Sequence, residues 1–359
     1  MIKKIILSIV IMVVVTLITM FSLIYFDFFQ NNFKPVEKAM VFESQAIKME
    51  QPKEILKVMT WNIKFGAGRI DFFFDCHGNR EVMTKEEVIK NVDALSKKIK
   101  EINPDILFLQ ELDIDSNRSD FVNQIQQILD NTDLNYGAFA SQWKSKLVPS
   151  NNIKQINSGN AILSKYELKD ATRYSLPLMT NVDFLTKYFY LKRNYLKTYI
   201  ELNNKKIYLL NIHAEAYSSD GTKEKQLDIF FEELENIKKS GEIFIAGGDF
   251  NTLPPYSTKT GKFDDQVCGK GMFDDSGVKK DVNYLEKYYK LYNFETPLDK
   301  YKENNKTYFT HTTDKKGFWN RKLDYILTNG TFIENSSITH QNTMELSDHA
   351  PISVDFQVK

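Results

Sequence analysis

Cysteine is nearly absent: Cys76 and Cys268 are the two in 359 residues. In an oxidising compartment they could bridge, and otherwise they are unrelated thiols. With no second Cys/His cluster at zinc spacing, the adjacent Cys76-His77 is not read as a zinc site. Net charge is absent as well, with Lys plus Arg and Asp plus Glu each at 47. That balance gives no support for strong non-specific nucleic-acid binding, although a local basic face stays open. Internal repeats are missing, and so are low-complexity tracts beyond the apolar start. Apolar and charged fractions of 42% and 26% are ordinary for a globular chain, so disorder is not the expected main state. The length suits one large domain or two modest ones.

One long hydrophobic run is present. From Ile5 to Phe26 its polar interruptions are Ser8, Thr16, Thr19 and Ser22, with Lys3 and Lys4 just before. About 20 apolar residues suffice to cross a bilayer as a helix. The run leaves through bulky Tyr25-Phe26-Asp27-Phe28-Phe29 rather than a small-residue cleavage site, which favours a retained anchor over a removed signal. Lys3 and Lys4 place the N-terminus in the cytosol and the rest outside it. The expected organisation is a transmembrane anchor over 1–29, a stalk over 30–53 with at most a short helix, and a catalytic domain over 54–359.

Within that domain, Thr84 and Glu87 have capping-box spacing. Val88, Val92, Leu95, Ile99 and Ile102 then recur at helical period, and Asn103-Pro104 stops the helix before an apolar strand from Asp105. A second unit repeats the scheme: a strand from Ile207, a helix carrying Leu227, Phe230, Leu234 and Ile237, a stop at Gly241, and a strand from Ile243. Strand–helix–strand twice over predicts an α/β domain. Residues 135–157 and 253–305 read as less regular excursions, with helical spacing around Val282 to Leu291.

Short polar clusters stand at the ends of the strand-like runs: Trp61-Asn62, Gln110-Glu111, Asn211-Ile212-His213, Gly248-Asp249-Phe250-Asn251, Asp324 and Ser347-Asp348-His349. Strand ends can gather side chains distant in sequence, so the clusters are read as one site. A divalent oxygen-loving metal needs carboxylates, and phosphate can supply further ligands. Asp249 and Asn251, two apart on an extended stretch, are expected on one face. A carboxylate can take a proton from water, while histidine serves as acid or base near neutrality. Asp348 would point away from the adjacent His349, which leaves Asp324 as the candidate partner of that imidazole.

Thr-Trp-Asn, Leu-Gln-Glu, Asn-x-His, Gly-Asp-Phe-Asn, Leu-Asp-Tyr-Ile and Ser-Asp-His, in this order from about Val58 to Phe356, resemble the motifs of the endonuclease/exonuclease/phosphatase (DNase I-like) superfamily. The resemblance implies a four-layered α/β sandwich of two packed mixed, mainly antiparallel sheets flanked by helices. It also implies a Mg²⁺-dependent phosphoester hydrolase, with Mn²⁺ as a substitute. Carried over by position, Asn62, Glu111 and Asp348 form the metal environment. Asp249 handles the attacking water, Asn251 steadies the phosphorus, His349 with Asp324 forms the His–Asp pair, and His213 matches the second histidine of the nuclease and sphingomyelinase branches. Arg193, Asn160 and His311 are expected to face substrate, with Asn194 standing where many members have glycine. The expected partners are a membrane, through the N-terminal helix, and a nucleic-acid or phospholipid phosphodiester. A phosphomonoesterase or a non-catalytic binding module is the alternative.

Overall fold

The computed structural model of the chain describes residues 2–31, 33–75, 78–148, 150, 152–261, 263 and 283–358. Cys76, His77 and Cys268, and with them the question of a disulfide, lie outside the described residues. Helix α1 (Ile2–Asn31) carries the apolar run. Its Ile2–Leu23 stretch has a mean hydropathy of 2.8 and none of it is buried. At 1.5 Å per residue it is long enough to cross a bilayer, a property an anchor shares with a signal sequence.

The segment expected to be a stalk pairs instead. β1 (Val36–Lys38) and β2 (Met40–Glu43) each form the edge of a sheet, against β7 (Lys169–Ser175) and β5 (Tyr136–Val148). Strands this short, with mostly exposed side chains, carry no readable period.

The remaining strands are β3 (Ile55–Asn62), β4 (Ile106–Asp113), β6 (Lys154–Ser164), β8 (Asn194–Leu202), β9 (Lys205–His213) and β10 (Ile243–Asp249). They are followed by β11 (Asn293–Phe294), β12 (Asp324–Thr328), β13 (Thr331–Phe332), β14 (Ile338–Thr339) and β15 (Ile352–Gln357). One sheet runs β1-β7-β8-β9-β10-β12-β11, the other β13-β15-β3-β4-β6-β5-β2, with β14 beside β15. β9 with β10 and β3 with β4 are parallel, and the other pairs are antiparallel. Each parallel pair is bridged by an 18-residue crossover helix, α2 (Lys85–Ile102) or α5 (Thr222–Lys239).

Thr84 caps α2 with the reciprocal Glu87 bond, and Asn103 closes it in a left-handed turn. Val88, Val92, Leu95 and Ile99 join α3 (Gln124–Asn131) in a core against one outer sheet face. Leu227, Phe230, Leu234 and Ile237 form another under α5. Between the sheets, Val58, Ile106, Phe108, Leu209, Ile245, Ile326 and Val354 make the central core. Helix, sheet, sheet, helix is the expected four-layer sandwich.

Two irregular readings are corrected. Much of 135–157 is a long hairpin of β5 and β6, whose outer end has its own small cluster of Val148, Ile153 and Ile156 beside Trp143. Its outer half alternates poorly because the pairing register slips twice there, between Ser141 and Trp143 and between Ser145 and Val148. The helical spacing near Val282 yields one described turn, Glu286–Tyr289, and Leu298–Glu303 is the second short helix of that excursion, while α4 (Phe184–Phe189) lies outside both.

Candidate active site

Three neighbouring strands of one sheet bring three site residues level. In the pairing register Asp249 of β10 stands opposite His213 of β9 and Asp324 of β12. β12 is antiparallel to β10, so its first residue meets the last of the others. The Gly247-Gly248 pair makes this approach feasible. Gly248 has φ +133°, and a Cβ there would fall 1.9 Å from the Ile212 carbonyl oxygen. Asn251 is not extended: its φ is +49°, and its N–H donates to Asp249 Oδ1 at 2.9 Å. The alternation expected for Asp249 and Asn251 is therefore replaced by a tight turn, with Asn251 Nδ2 bonded to the Ala214 carbonyl.

The facing sheet supplies Asn62 and Glu111. β4 does not end at Glu111. It runs to Asp113 through a bulge between Leu109 and Leu112, and Glu111 adopts φ +60°. The bulge turns its carboxylate out of the core. Asn62 Nδ2 bridges the sheets, 3.1 Å from Glu111 Oε1 and 3.2 Å from Asp249 Oδ2. Its Oδ1 accepts the Lys64 N–H, so in this orientation Asn62 holds the two carboxylates rather than lending an oxygen. Left-handed conformations at Lys64, Glu111 and Asn251 concentrate backbone strain around one cleft.

The 347–349 loop closes the other side. Ser347 Oγ donates to the Asn62 carbonyl, and Trp61 Nε1 to the His349 carbonyl. His349 Nδ1 lies 2.8 Å from Asp324 Oδ2, while Nε2 faces Asp249 Oδ2 at 3.7 Å. His213 Nε2 reaches the same Asp249 oxygen at 3.5 Å and Glu111 at 4.0 Å. Asp348 is 3.9 Å from Lys64 Nζ.

Burial raises Asp249 to about 7, with Asp324 adding to the rise and His349 opposing it. For His349 burial works against the charge, yet Asp324 and Asp249, with a smaller part from Asp348, hold it up to about 10. Burial, then Arg193 and His349, drive His213 well below its ordinary value. Burial and the neighbouring Asp348 raise Glu111, whereas Lys64 and His349 outweigh burial and lower Asp348. The pocket thus contains an imidazolium, a neutral imidazole and two mutually repelling carboxylates.

Those two carboxylates, Glu111 and Asp348, are the oxygen donors a hard divalent cation takes, and it would relieve their repulsion. Asp249, Asp324 and His349 also place one ligand atom each within 4.8 Å of one another. There, however, the 2.8 Å Nδ1–Oδ2 contact is a hydrogen bond already made.

Of the expected substrate contacts, Arg193 is buried with Nε 3.6 Å from Glu215 Oε2, and its Nε and Nη1 lack a hydrogen-bond partner. Asn160 is buried with Oδ1 unpartnered, and the His311 ring packs 4.4 Å from that of His349. Four further residues were not legible as site members: Lys64, Tyr190, Glu215 and Tyr217. Tyr190 Oη donates to Glu215 Oε1 at 2.5 Å, and the same oxygen accepts the Tyr217 N–H. In sequence, the aromatic run Tyr188-Phe189-Tyr190 and the placement of Lys64 two residues after Asn62 were the available signals.

Residues 59–349 match the model of the Endonuclease/Exonuclease/phosphatase family. No curated protein sequence matches the chain. Among solved structures, an endonuclease/exonuclease/phosphatase from Beutenbergia cavernae DSM 12333 aligns at TM-score 0.55 and 14% identity, over 85% of this chain and 72% of that one. The human Nocturnin catalytic domain with bound sulfate aligns at 0.52 and 16%, over 93% and 99%. A functionally unknown conserved protein from Enterococcus faecalis V583 aligns at 0.52 and 14%, over 84% and 100%. Identities this low speak to fold alone, but the family match spans most of the chain and the site motifs lie within it: the chain belongs to the endonuclease/exonuclease/phosphatase family.

Proposed function

We propose that the chain is a Mg²⁺-dependent phosphodiesterase, with Mn²⁺ as a substitute, that hydrolyses its substrate by in-line attack of water. The observation that carries this reading is Asp249 Oδ2 held between His213, His349 and Asn62, opposite Glu111. Glu111 and Asp348 would hold the cation, which supplies charge neutralisation at the phosphate. Asp249 takes a proton from water, and the turn at Asn251 fixes its carboxylate for that step. His349, charged and oriented by Asp324, stabilises the phosphoryl oxygens and returns a proton to the departing oxygen. Neutral His213 and the unpartnered N–H groups of Arg193 serve as hydrogen-bonding groups for the phosphate.

A diester is favoured over a monoester by charge. Lys64, Arg193 and His349 are already matched by Asp75, Glu215 and Asp324, so the monoanion of a diester suits these three cations better than a dianion. The diester is that of a nucleic acid or of a phospholipid headgroup. The N-terminal helix suits a catalytic domain held against the outer face of a membrane. From Asn31 to Val36 the chain can reach at most about 17 Å, which keeps the domain near any bilayer that α1 enters.

The test is hydrolysis of bis-(p-nitrophenyl) phosphate against p-nitrophenyl phosphate, with DNA, RNA and sphingomyelin alongside, each with Mg²⁺ and with chelator. Chelator-sensitive cleavage of the diesters is expected. Preference for the monoester would make the chain a phosphatase, and turnover of none would favour the binding module.

A further inference from the structure

Lys64 begins an unusual turn: Lys64, Phe65 and Gly66 have consecutive φ values of +45°, +43° and +69°. Two successive non-glycine residues in this region are costly, on the order of 1–3 kcal/mol each. The turn is held from outside, by Gln124 Nε2 on the Phe65 carbonyl at 2.7 Å and Asn91 Nδ2 on the Gly66 carbonyl at 3.0 Å. It carries the Lys64 side chain into the interior, where the residue is 7% exposed. Nζ there meets Asp75 Oδ2 at 2.8 Å and Asp348 Oδ2 at 3.9 Å. The Lys64 N–H meanwhile orients Asn62, the donor to both Glu111 and Asp249.

We infer that Lys64 is a built-in monovalent counter-cation of the carboxylate cluster, a positioning residue that shares Asp348 with the divalent cation and limits how tightly that cation binds. The inference rests on the cation-binding reading of Glu111 and Asp348. Ammonium and divalent cation are both drawn to the Asp348 carboxylate and repel each other across it. Asp75 draws the ammonium back, which leaves Asp348 partly free. An ion pair that only closes the 64–75 loop would not affect cation affinity.

The experiment is Mn²⁺ binding to the metal-stripped full chain in detergent, followed by the paramagnetic resonance of free Mn²⁺, with no turnover involved. Lys64→Met is expected to bind Mn²⁺ at least about tenfold more tightly, and Lys64→Arg to stay near wild type. Asp75→Asn removes the pull away from Asp348 and is expected to shift affinity the opposite way. Lys64→Met binding Mn²⁺ no more tightly than wild type would overturn the inference. If that variant does not fold, Asp75→Asn decides: weaker binding supports it, and unchanged or tighter binding overturns it. Glu111→Gln separates the two readings. If it leaves Mn²⁺ binding untouched, the cation site is wrong and the inference falls with it. If it abolishes binding while Lys64→Met changes nothing, only the inference falls.

Discussion

Gln110 Nε2 donates to Asn211 Oδ1 at 2.7 Å across the interface of the two sheets. The bond lies one residue before Glu111 and two before His213, so it fixes the spacing of the sheets where the site opens. Asn211 Nδ2 adds bonds to the carbonyls of Leu109 and Ala161, and both amide side chains are fully buried. Asn211→Ala leaves three buried groups without that partner and is expected to cost about 3 kcal/mol, read by urea denaturation. Wild-type stability in that variant would show that the bond does not pin the sheets.

The expected stalk is part of the sandwich, and Arg173 shows how. Its guanidinium lies over the Phe33 ring at 4.0 Å, bonds Ser141 and Lys192 carbonyls and Ser175 Oγ, and faces Glu37 at 3.7 Å. A fragment beginning at Glu54 therefore uncovers two sheet edges and a buried arginine on the strand beside β8, which Arg193 immediately precedes. It is expected to be less stable and more prone to aggregate than one beginning at Phe33. Equal melting temperatures for the two would contradict this.

Burying the Asp249 carboxylate makes stability depend on pH. Its folded value of about 7 lies above the ordinary carboxylate value, so its stabilising contribution is complete below about pH 4 and is lost as pH rises through 7. Asp249→Asn, measured with chelator present, should match wild type near pH 4. It should gain through pH 4–7, then hold a constant advantage of up to about 4 kcal/mol. A pH-independent difference would rule out the buried carboxylate as its source.

The proposed mechanism needs Asp249 ionised and His349 charged, so the rate should rise towards pH 7 and fall only near pH 10. A bound cation favours the carboxylate and moves the lower limb down. Asp324→Asn removes the strongest of the three carboxylate charges, Asp324, Asp249 and Asp348, that support the imidazolium. The upper limb is then expected to move towards neutrality, together with the His349 ring titration seen by NMR. An upper limb still near 10 would dissociate Asp324 from that charge.

Much of this was legible because its causes are local. The capping box at Thr84 and Glu87, the helical stripes of α2 and α5, and the apolar runs ending at Asn62, His213 and Asp249 each declare themselves within a few residues. Asp324 was legible as the partner of His349 because the adjacent Asp348 points elsewhere. What was hidden depends on tertiary partners. β1 and β2 exist because β7 and β5 have open edges, and the bulge at Glu111 forms against β6. The left-handed Asn251 rests on the Ala214 carbonyl, and Lys64 gains meaning only when Asp75 and Asp348 close on it.

The most direct test of the site as a whole is kcat for bis-(p-nitrophenyl) phosphate under saturating Mg²⁺, for wild type, Glu111→Ala and Asp249→Ala, each verified as folded. If the cation-holding carboxylate and the base act on one phosphorus, each variant should lose at least about a thousandfold. Full activity in either would contradict the convergence on which the proposed chemistry rests.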